Sequence, residues 1–233
     1  PRDVTLDSYR YIFSSNKILG AFGNSVFITA AGTAVNLFFT STMAYAISKK
    51  RLRGRTAILN LVIFSMFFSG GMIPDYFLMR SLVLLNSLWA IILPGLLGCY
   101  NLILMRNYME GLPVSLEEAA LIDGANDIQV LFKIVLPLCK PILATLSLFT
   151  IVGHWNGYFD GMILINDPKK MPLQTYIQQL VVNMNVSSSL SFEEQMQLAE
   201  VSGKSFNAAK VFVTMIPLLV VYPFAQKHFV KGI

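Results

Sequence analysis

The segment EAALIDGANDIQVLFKIVLPLCKP, residues 118–141, is a polar, helix-forming stretch that separates two long apolar segments. Ser115, just before it, and Glu118 form an S-x-x-E pattern, which predicts a capping box and a short helix that starts there. Gly124 then supplies the left-handed residue with which helices commonly end. The beginning of this segment is therefore predicted to be a short helix followed by a sharp turn.

A second helix is predicted after the turn, with Asn126 or Asp127 as its cap. Its apolar residues recur at i, i+3, i+4 and i+7, which predicts one buried face made of Ile128, Leu131, Phe132 and Val135. Pro137 and Pro141 interrupt the pattern. A hairpin with small residues at its tip is typical of a docking element, because a partner's backbone can approach it closely. The alternative from local pattern alone is an ordinary helix-turn-helix corner.

The segment resembles the EAA loop of permease subunits in binding-protein-dependent ABC importers. The family pattern is E-A-A-x-x-D-G-A, then Phe, Ile and L-P-x-x-x-P, and it is matched throughout by Glu118, Ala119, Ala120, Asp123, Gly124, Ala125, Phe132, Ile134, Leu136, Pro137 and Pro141. The resemblance covers nearly the whole chain and is to the carbohydrate branch, the second permease of maltose-type and complex-saccharide importers. HWNGYFD (154–160), PKKMPLQTYIQQL (168–180) and VYPFAQKHFVKGI (221–233) also carry it.

The resemblance implies both a role and a fold. In this family the EAA loop is the coupling helix, which is seated in a groove of the cytoplasmic ATPase. The resemblance thereby assigns coupling to Glu118, Ala119, Ala120, Leu121, Ile122, Asp123, Gly124 and Ala125. The implied fold is the all-α, polytopic transmembrane helix bundle of type I ABC importer permeases, with residues 1–233 forming a single permease domain.

Composition indicates a membrane protein independently of the motif. Hydrophobic residues make up 55% of the chain and charged residues 13%, and the mean hydropathy is +0.58, whereas about a quarter of the residues in a soluble domain are charged. The net charge of +5 does not indicate nucleic-acid binding, because the basic residues cluster at the ends of apolar segments. Cys99 and Cys139 are too few for a disulfide framework and are expected to be free thiols.

Five membrane spans are predicted, at residues 18–47, 57–74, 88–105, 141–159 and 209–226, with an interfacial helix at residues 75–87. The loop KKRLRGR, residues 49–55, carries five positive charges in seven residues and is predicted to be cytoplasmic. The EAA coupling loop, residues 106–140, then lies on the same side. Because the family has six spans, a sixth is expected to be missing at the N-terminus of this sequence.

Two features are predicted on the outer side. The fourth span ends in polar and aromatic residues, of which the candidates for the translocation path are Trp155, Asn156, Tyr158 and Asp160. The alternative for these residues is an aromatic belt at the membrane interface. Residues 160–207 are predicted to form a periplasmic loop, which the resemblance implies meets a substrate-binding protein. The alternative for this loop is an interfacial helix with a disordered connector.

No residues in the sequence indicate catalysis or a metal site. No His and Cys residues have metal-ligand spacing, and His154 and His228 are predicted at opposite membrane faces. Gly203, Lys204 and Ser205 resemble the end of a phosphate-binding loop, but the first glycine of that motif is replaced by Leu198. The chain is therefore expected to need no cofactor, with ATP and Mg bound by the partner ATPase.

The resulting expectation is a multi-pass subunit of an ATP-driven saccharide importer in the bacterial inner membrane. The expected partners are a second permease in a heterodimer, two copies of a cytoplasmic ATPase, a substrate-binding protein and the saccharide. An importer of amino acids or peptides is the nearest alternative, because the EAA loop is shared across substrates. A secondary transporter is disfavoured because the predicted spans hold almost no ionisable groups, and a membrane scaffold that only docks a partner stays open.

Overall fold

The computed structural model describes residues 16–186 and residue 215, and every regular element among them is helical. The helices are α1 (Asn16–Ser48), α2 (Arg55–Phe67), α3 (Met72–Ser81), α4 (Trp89–Ile92), α5 (Cys99–Glu110), α6 (Val114–Ile122), α7 (Asp127–Val130), α8 (Lys140–Asn156), α9 (Phe159–Leu164) and α10 (Leu173–Val186). A 3₁₀ turn, Leu93–Gly95, follows α4, and a π-helical turn, Leu131–Val135, follows α7 and leads into a short helical turn, Leu136–Leu138. The all-α prediction is confirmed.

Helix α1 is the central element, and α5 and α8 pack along it more extensively than any other helices described. Its 33 residues extend roughly 50 Å, which exceeds the roughly 30 Å hydrocarbon core of a bilayer. Within the described chain, Ile18–Ser48 is the one single helix long and apolar enough to cross a membrane. Up to 4 spans result if each of three bent helix pairs is counted as one crossing.

The second predicted span, residues 57–74, is wrong at its C-terminal end. Helix α2 stops at Phe67, and α3 leaves at an angle of 115° after a short break. Gly71 in this break has φ +87°, a conformation that favours glycine, so the chain turns before Pro74 instead of continuing to it. The predicted interfacial helix at residues 75–87 accordingly begins earlier, at Met72, and ends at Ser81.

The regions predicted as the third and fourth spans are helical, with boundaries that differ from the prediction. The predicted interruption of the third span is confirmed, since the helical segment Trp89–Gly95 bends by 48° before α5 begins at Cys99. The fourth span ends at Asn156 rather than residue 159, because Gly157 is extended and α9 begins a new direction. The fifth predicted span, residues 209–226, and the second half of the predicted loop at residues 160–207 lie outside the described residues.

A side chain from α1 forms a hydrogen bond with the backbone at the break between Trp89–Gly95 and α5. Pro94 and Gly95 interrupt the helical hydrogen-bond ladder and leave carbonyl groups without helical partners. Asn36, which is 3% exposed, donates from Nδ2 to the Gly95 carbonyl at 2.8 Å. Its Oδ1 accepts from the Thr150 hydroxyl of α8 at 3.4 Å. Asn36 thus connects α1, the broken helix and α8, which explains a buried polar residue in an apolar span.

His154 is packed between glycines of α1 and of the same break. A Cβ built on Gly32 would lie 2.5 Å from His154 Nε2, and one built on Gly95 would lie 3.4 Å from its Cε1. The imidazole therefore occupies space that only glycine leaves open at position 32. Close approach of this kind is typical of helix packing in membranes, where small residues let backbones come together.

Replacing Gly32 with alanine is expected to lower the free energy of unfolding by about 2 kcal/mol, because the methyl group overlaps the His154 ring. Thermal unfolding of the purified protein in detergent measures the effect. Gly23→Ala on the same helix is the matched control, since nothing lies within 4 Å of a Cβ there. Equal unfolding temperatures for the two variants would show that His154 does not contact α1, whereas recovery in Gly32→Ala with His154→Ala would support the contact.

Candidate functional site

The first helix of the EAA segment starts differently from the prediction. Helix α6 begins at Val114, with Pro113 as the N-cap (φ −60°, ψ 120°) and no side-chain capping hydrogen bond. The prediction of a capping box between Ser115 and Glu118 is therefore wrong. Proline sets the helix entry by its fixed φ, so Ser115 lies inside the first turn instead of preceding it.

The predicted stop at Gly124 is confirmed. Helix α6 ends at Ile122, and Gly124 adopts φ +85°. The Gly124 amide donates to the Leu121 carbonyl at 3.1 Å, and the Ala125 amide donates to the Ala120 carbonyl at 2.9 Å. These two hydrogen bonds form a Schellman motif, which uses the left-handed residue to satisfy the last carbonyls of the helix.

The second helix is capped by Asn126, one of the two predicted residues. Its side chain accepts from the Gln129 amide at 2.9 Å, and the Gln129 side chain accepts from the Asn126 amide at 3.1 Å. The buried face predicted for this helix is wrong in part. Ile128 is 69% exposed and Phe132 is 47% exposed, whereas the buried residues are Val130, Leu131 and Val135. The π-helical turn explains the difference, because its i to i+5 spacing places Val130 and Val135 on one side.

Residues 114–138, the EAA hairpin, expose most of the residues assigned to coupling. Ala120 is buried against the core and Ala125 is half-buried, while the other six are exposed: Glu118, Ala119, Leu121, Ile122, Asp123 and Gly124. Ile122 is 85% exposed and Val114 is 64% exposed. Exposed apolar side chains on an otherwise polar tip are characteristic of a surface that binds a protein partner.

A cavity of about 580 Å³ lies beside α6. Basic residues from the loop at residues 49–55 and acidic residues of the EAA hairpin region line it: Lys49, Lys50, Arg51, Arg55, Glu110, Glu117 and Glu118. Met109, Leu112 and Leu121 contribute an apolar part of its wall. The hairpin and the basic loop therefore lie at the same end of the molecule.

The four candidate pathway residues do not share one environment. Trp155 is 4% exposed, and its ring meets Phe22 edge-on, with centroids 5.8 Å apart. Asn156, Tyr158 and Asp160 are exposed, and they lie where α8 ends and α9 begins. The structure thus packs Trp155 within the chain and presents the other three side chains at the surface.

Two contacts attach the segment before α10 to α1. Asn24 donates to the Lys169 carbonyl at 2.9 Å and to the Met171 carbonyl at 3.1 Å. The Leu173 amide donates to the Ser25 hydroxyl at 2.8 Å. This part of the predicted loop at residues 160–207 is therefore folded onto the N-terminal part of α1.

Asn86 has a structural role that the sequence pattern did not predict. It adopts φ +63°, and its backbone N–H donates to the Leu164 carbonyl at 2.8 Å. Its Oδ1 accepts from the amides of Asn166 and Asp167, at 3.2 Å and 2.9 Å. Asparagine tolerates the left-handed region better than most residues, and an Asn-Ser pair between two apolar stretches was the available signal for this turn.

No group of three or more His, Cys, Asp or Glu side chains is close enough to hold a metal ion in the described part of the chain. Cys139 is buried at the junction before α8, and Cys99 is half-buried at the start of α5. Both cysteines are free thiols, as expected.

The family model of the inner membrane component of binding-protein-dependent transport systems matches residues 37–233. The chain belongs to this family. The permease is 47% identical over 232 residues to the Bacillus subtilis protein LplC, and the match covers 100% of this chain and 78% of the relative. It is 45% identical over 234 residues to the polygalacturonan/rhamnogalacturonan transport system permease protein YtcP of the same organism, covering 100% and 81% of the two chains.

A solved structure has the same fold over nearly the whole of this chain. The permease superimposes on a chain of a bacterial ABC transporter involved in the import of the acidic polysaccharide alginate, with a TM-score of 0.84 and 36% identity. The match covers 98% of this chain and 81% of that chain. The resemblance to ABC importer permeases and the type I permease fold are thereby confirmed, and the permease is a component of the inner membrane.

Proposed function

We propose that the permease forms, together with a second and different permease, the membrane path for an oligosaccharide or polysaccharide. A binding protein delivers the saccharide, and two copies of a cytoplasmic ATPase drive alternating access through the EAA hairpin. The observation that supports the substrate class is that two similar proteins are named for saccharide transport. They are the polygalacturonan/rhamnogalacturonan permease, at 45% identity over the whole chain, and the alginate importer, at a TM-score of 0.84.

The topology of the proposal places the EAA hairpin and the loop at residues 49–55 in the cytoplasm. Positive charge density favours the cytoplasmic side, and the two elements share a cavity lined by side chains from both. A crossing by α1 then brings Asn24, Ser25 and the segment before α10 to the outer side, where a binding protein docks. The permease crosses the membrane several times in this arrangement, and the further spans are α2, the bent segment from Trp89 through α5, and α8.

The proposed path residues are Trp155, Asn156, Tyr158 and Asp160, with different tasks. Asn156, Tyr158 and Asp160 are exposed and offer an amide, an aromatic ring and a carboxylate to sugar hydroxyl groups. The buried Trp155 supports them by packing on Phe22. Aromatic faces with polar groups beside them suit saccharides, because sugars present both apolar C–H faces and hydroxyl groups.

Reconstitution tests the proposal. The permease, its partner permease and the ATPase are assembled in liposomes, and ATP hydrolysis is measured with the binding protein and with uronate oligosaccharides, neutral oligosaccharides or peptides. We expect stimulation of about tenfold that needs both the binding protein and a saccharide. Stimulation by peptides or amino acids but not by saccharides would show that the substrate is not a saccharide. Absence of ATPase binding would contradict the importer assignment.

The same assay separates the path residues from the general assembly. Tyr158→Ala is expected to lower uptake severalfold while the complex still assembles, because a ring at the path wall is lost. Phe159→Ala removes the neighbouring exposed aromatic side chain and is the matched control. Equal uptake by the two variants would exclude Tyr158 from the path.

A further inference from the structure

Three ion pairs join the loop at residues 49–55 to the EAA hairpin and its flanks. They are Lys49 with Glu117, Arg51 with Asp127, and Arg55 with Glu110. The carboxylates come from three successive elements, namely the end of α5, the first turn of α6 and the first residue of α7. This seven-residue loop therefore contacts the coupling helix α6 and also the helices on either side of it in the chain, α5 and α7.

The pair of Lys49 with Glu117 is the best enclosed of the three. Its side chains are 16% and 17% exposed, and Lys49 Nζ donates to both carboxylate oxygens. The ammonium also lies 4.2 Å from the centroid of the Tyr45 ring, a favourable cation–π distance. A charge in such surroundings is costly without its partner, so the two side chains hold a fixed geometry.

The other two pairs differ in enclosure. Arg51 and Asp127 are 57% and 54% exposed, and exposed ion pairs contribute little. Glu110 is shared between Arg55 and Arg106, the latter at 2.6 Å. This shared carboxylate ties the first residue of α2 to the end of α5.

The position of Lys49 gives its ion pair a mechanical consequence. Lys49 directly follows the last residue of α1, the helix against which α5 and α8 pack. Ala44, Tyr45 and Ile47 at this end of α1 share one buried cluster with Ala120 of α6. Helix α6 is thus connected to the end of α1 by a direct polar contact as well as by the packed core.

We propose that Lys49 and Glu117 are positioning residues that make the loop at residues 49–55 and the coupling helix α6 one rigid unit with α1. The inference rests on the proposed function, since it adds a second connection between the ATPase-driven helix and the central span. Packed side chains and ion pairs together carry energetic coupling between distant sites, and the polar part of this connection exists only while both members of the pair are present. Loss of either member leaves only the packed core to connect α6 with α1.

The test uses charge exchange in the reconstituted complex. Lys49→Glu and Glu117→Lys are expected to assemble with the ATPase but to lower the saccharide transported per ATP hydrolysed by about tenfold. The double variant with the two charges exchanged is expected to recover to within about threefold of the unchanged permease. Arg51→Glu at the exposed pair is the matched control and is expected to change this ratio by about twofold at most.

A neutral pair guards against misfolding of the charge variants. Lys49→Met with Glu117→Gln removes both charges and keeps the side-chain volume, so it is expected to fold and to show the same uncoupling. Normal transport per ATP in this double variant, or no recovery on charge exchange, would overturn the inference. If the unchanged permease neither binds an ATPase nor supports stimulated hydrolysis, the proposed function fails instead, and the two failures are distinguished.

Discussion

A methyl group at Gly161 is expected to lower the free energy of unfolding of the permease by about 3 kcal/mol. Gly161 is buried in α9, and a Cβ built there would lie 2.1 Å from Thr175 Oγ1 and 3.2 Å from Pro172 Cδ. Thr175 is fully buried, and its hydroxyl donates to the Tyr158 carbonyl at 2.8 Å. Since both neighbours are buried, α9 and α10 would have to separate to admit the methyl group.

Thermal unfolding in detergent measures this effect, and we expect a midpoint lower by about 10 °C. Gly153→Ala in α8 is the matched control, because nothing lies within 4 Å of a Cβ there and alanine is the better helix former. Adding Thr175→Ala to Gly161→Ala is expected to recover only part of the loss, because Pro172 stays in contact. Equal midpoints for Gly161→Ala and Gly153→Ala would contradict the close packing of α9 on α10.

The effect at Gly161 has a further consequence for the proposed path. Tyr158, whose carbonyl accepts the Thr175 hydrogen bond, is one of the proposed path residues. The contact between α9 and α10 therefore positions the chain between α8 and α9 where three exposed polar or aromatic side chains lie. Uptake by Gly161→Ala is expected to fall with its stability, whereas the Tyr158→Ala variant loses uptake while it stays folded.

The parts of the fold that the sequence predicts well are those decided by local chemistry. Helix α1 is long and almost continuously apolar, so its existence needs no tertiary information. Gly124 ends α6 because the left-handed conformation is open to glycine, and Asn126 with Gln129 forms a reciprocal cap within one turn. Each of these features is contained within a few consecutive residues.

The parts that the sequence predicts poorly are decided by contacts between distant residues. Gly70 and Gly71 predict a helix end, but the position of the end at Phe67 and the angle of 115° depend on how α3 packs. The exposed side of the EAA hairpin depends on the π-helical turn, which has no local composition signal. Asn36 reaches the Gly95 carbonyl across 59 positions, and no pattern within α1 identifies that partner.

The coupling region shows both situations together. Charge density predicts that the loop at residues 49–55 lies on the same side as the EAA hairpin, and the ion pairs agree with a shared side. Which cation meets which carboxylate depends on the turn after Ser48 and on the start of α6 at Val114. A helix that started at Ser115 with a capping box would have oriented Glu117 differently, so the pairing of Glu117 with Lys49 required the structure.

Replacing Gly124 with proline is expected to remove saccharide-stimulated ATP hydrolysis, with a fall of at least about tenfold in the reconstituted complex. Gly124 has φ +85°, whereas proline fixes φ near −65°. Proline also lacks the N–H group that donates to the Leu121 carbonyl at 3.1 Å. The chain could no longer turn from α6 into α7, so the exposed tip with Ile122 would point away from its docking partner.

A graded series separates this effect from general strain. Gly124→Ala keeps the N–H group and costs about 1–2 kcal/mol for the left-handed conformation, so it is expected to reduce stimulation less than Gly124→Pro does. Gly71→Ala is the control for backbone strain outside the EAA hairpin, because Gly71 has open space around it and φ +87° with ψ 171°, a conformation that is at least as costly for alanine. Its strain lies between α2 and α3, and stimulation is expected to stay within about twofold of the unchanged permease. Full stimulation in Gly124→Pro would mean that the orientation of α6 does not control the ATPase. Equal losses of stimulation in Gly124→Ala and Gly71→Ala would mean that the effect comes only from general destabilisation.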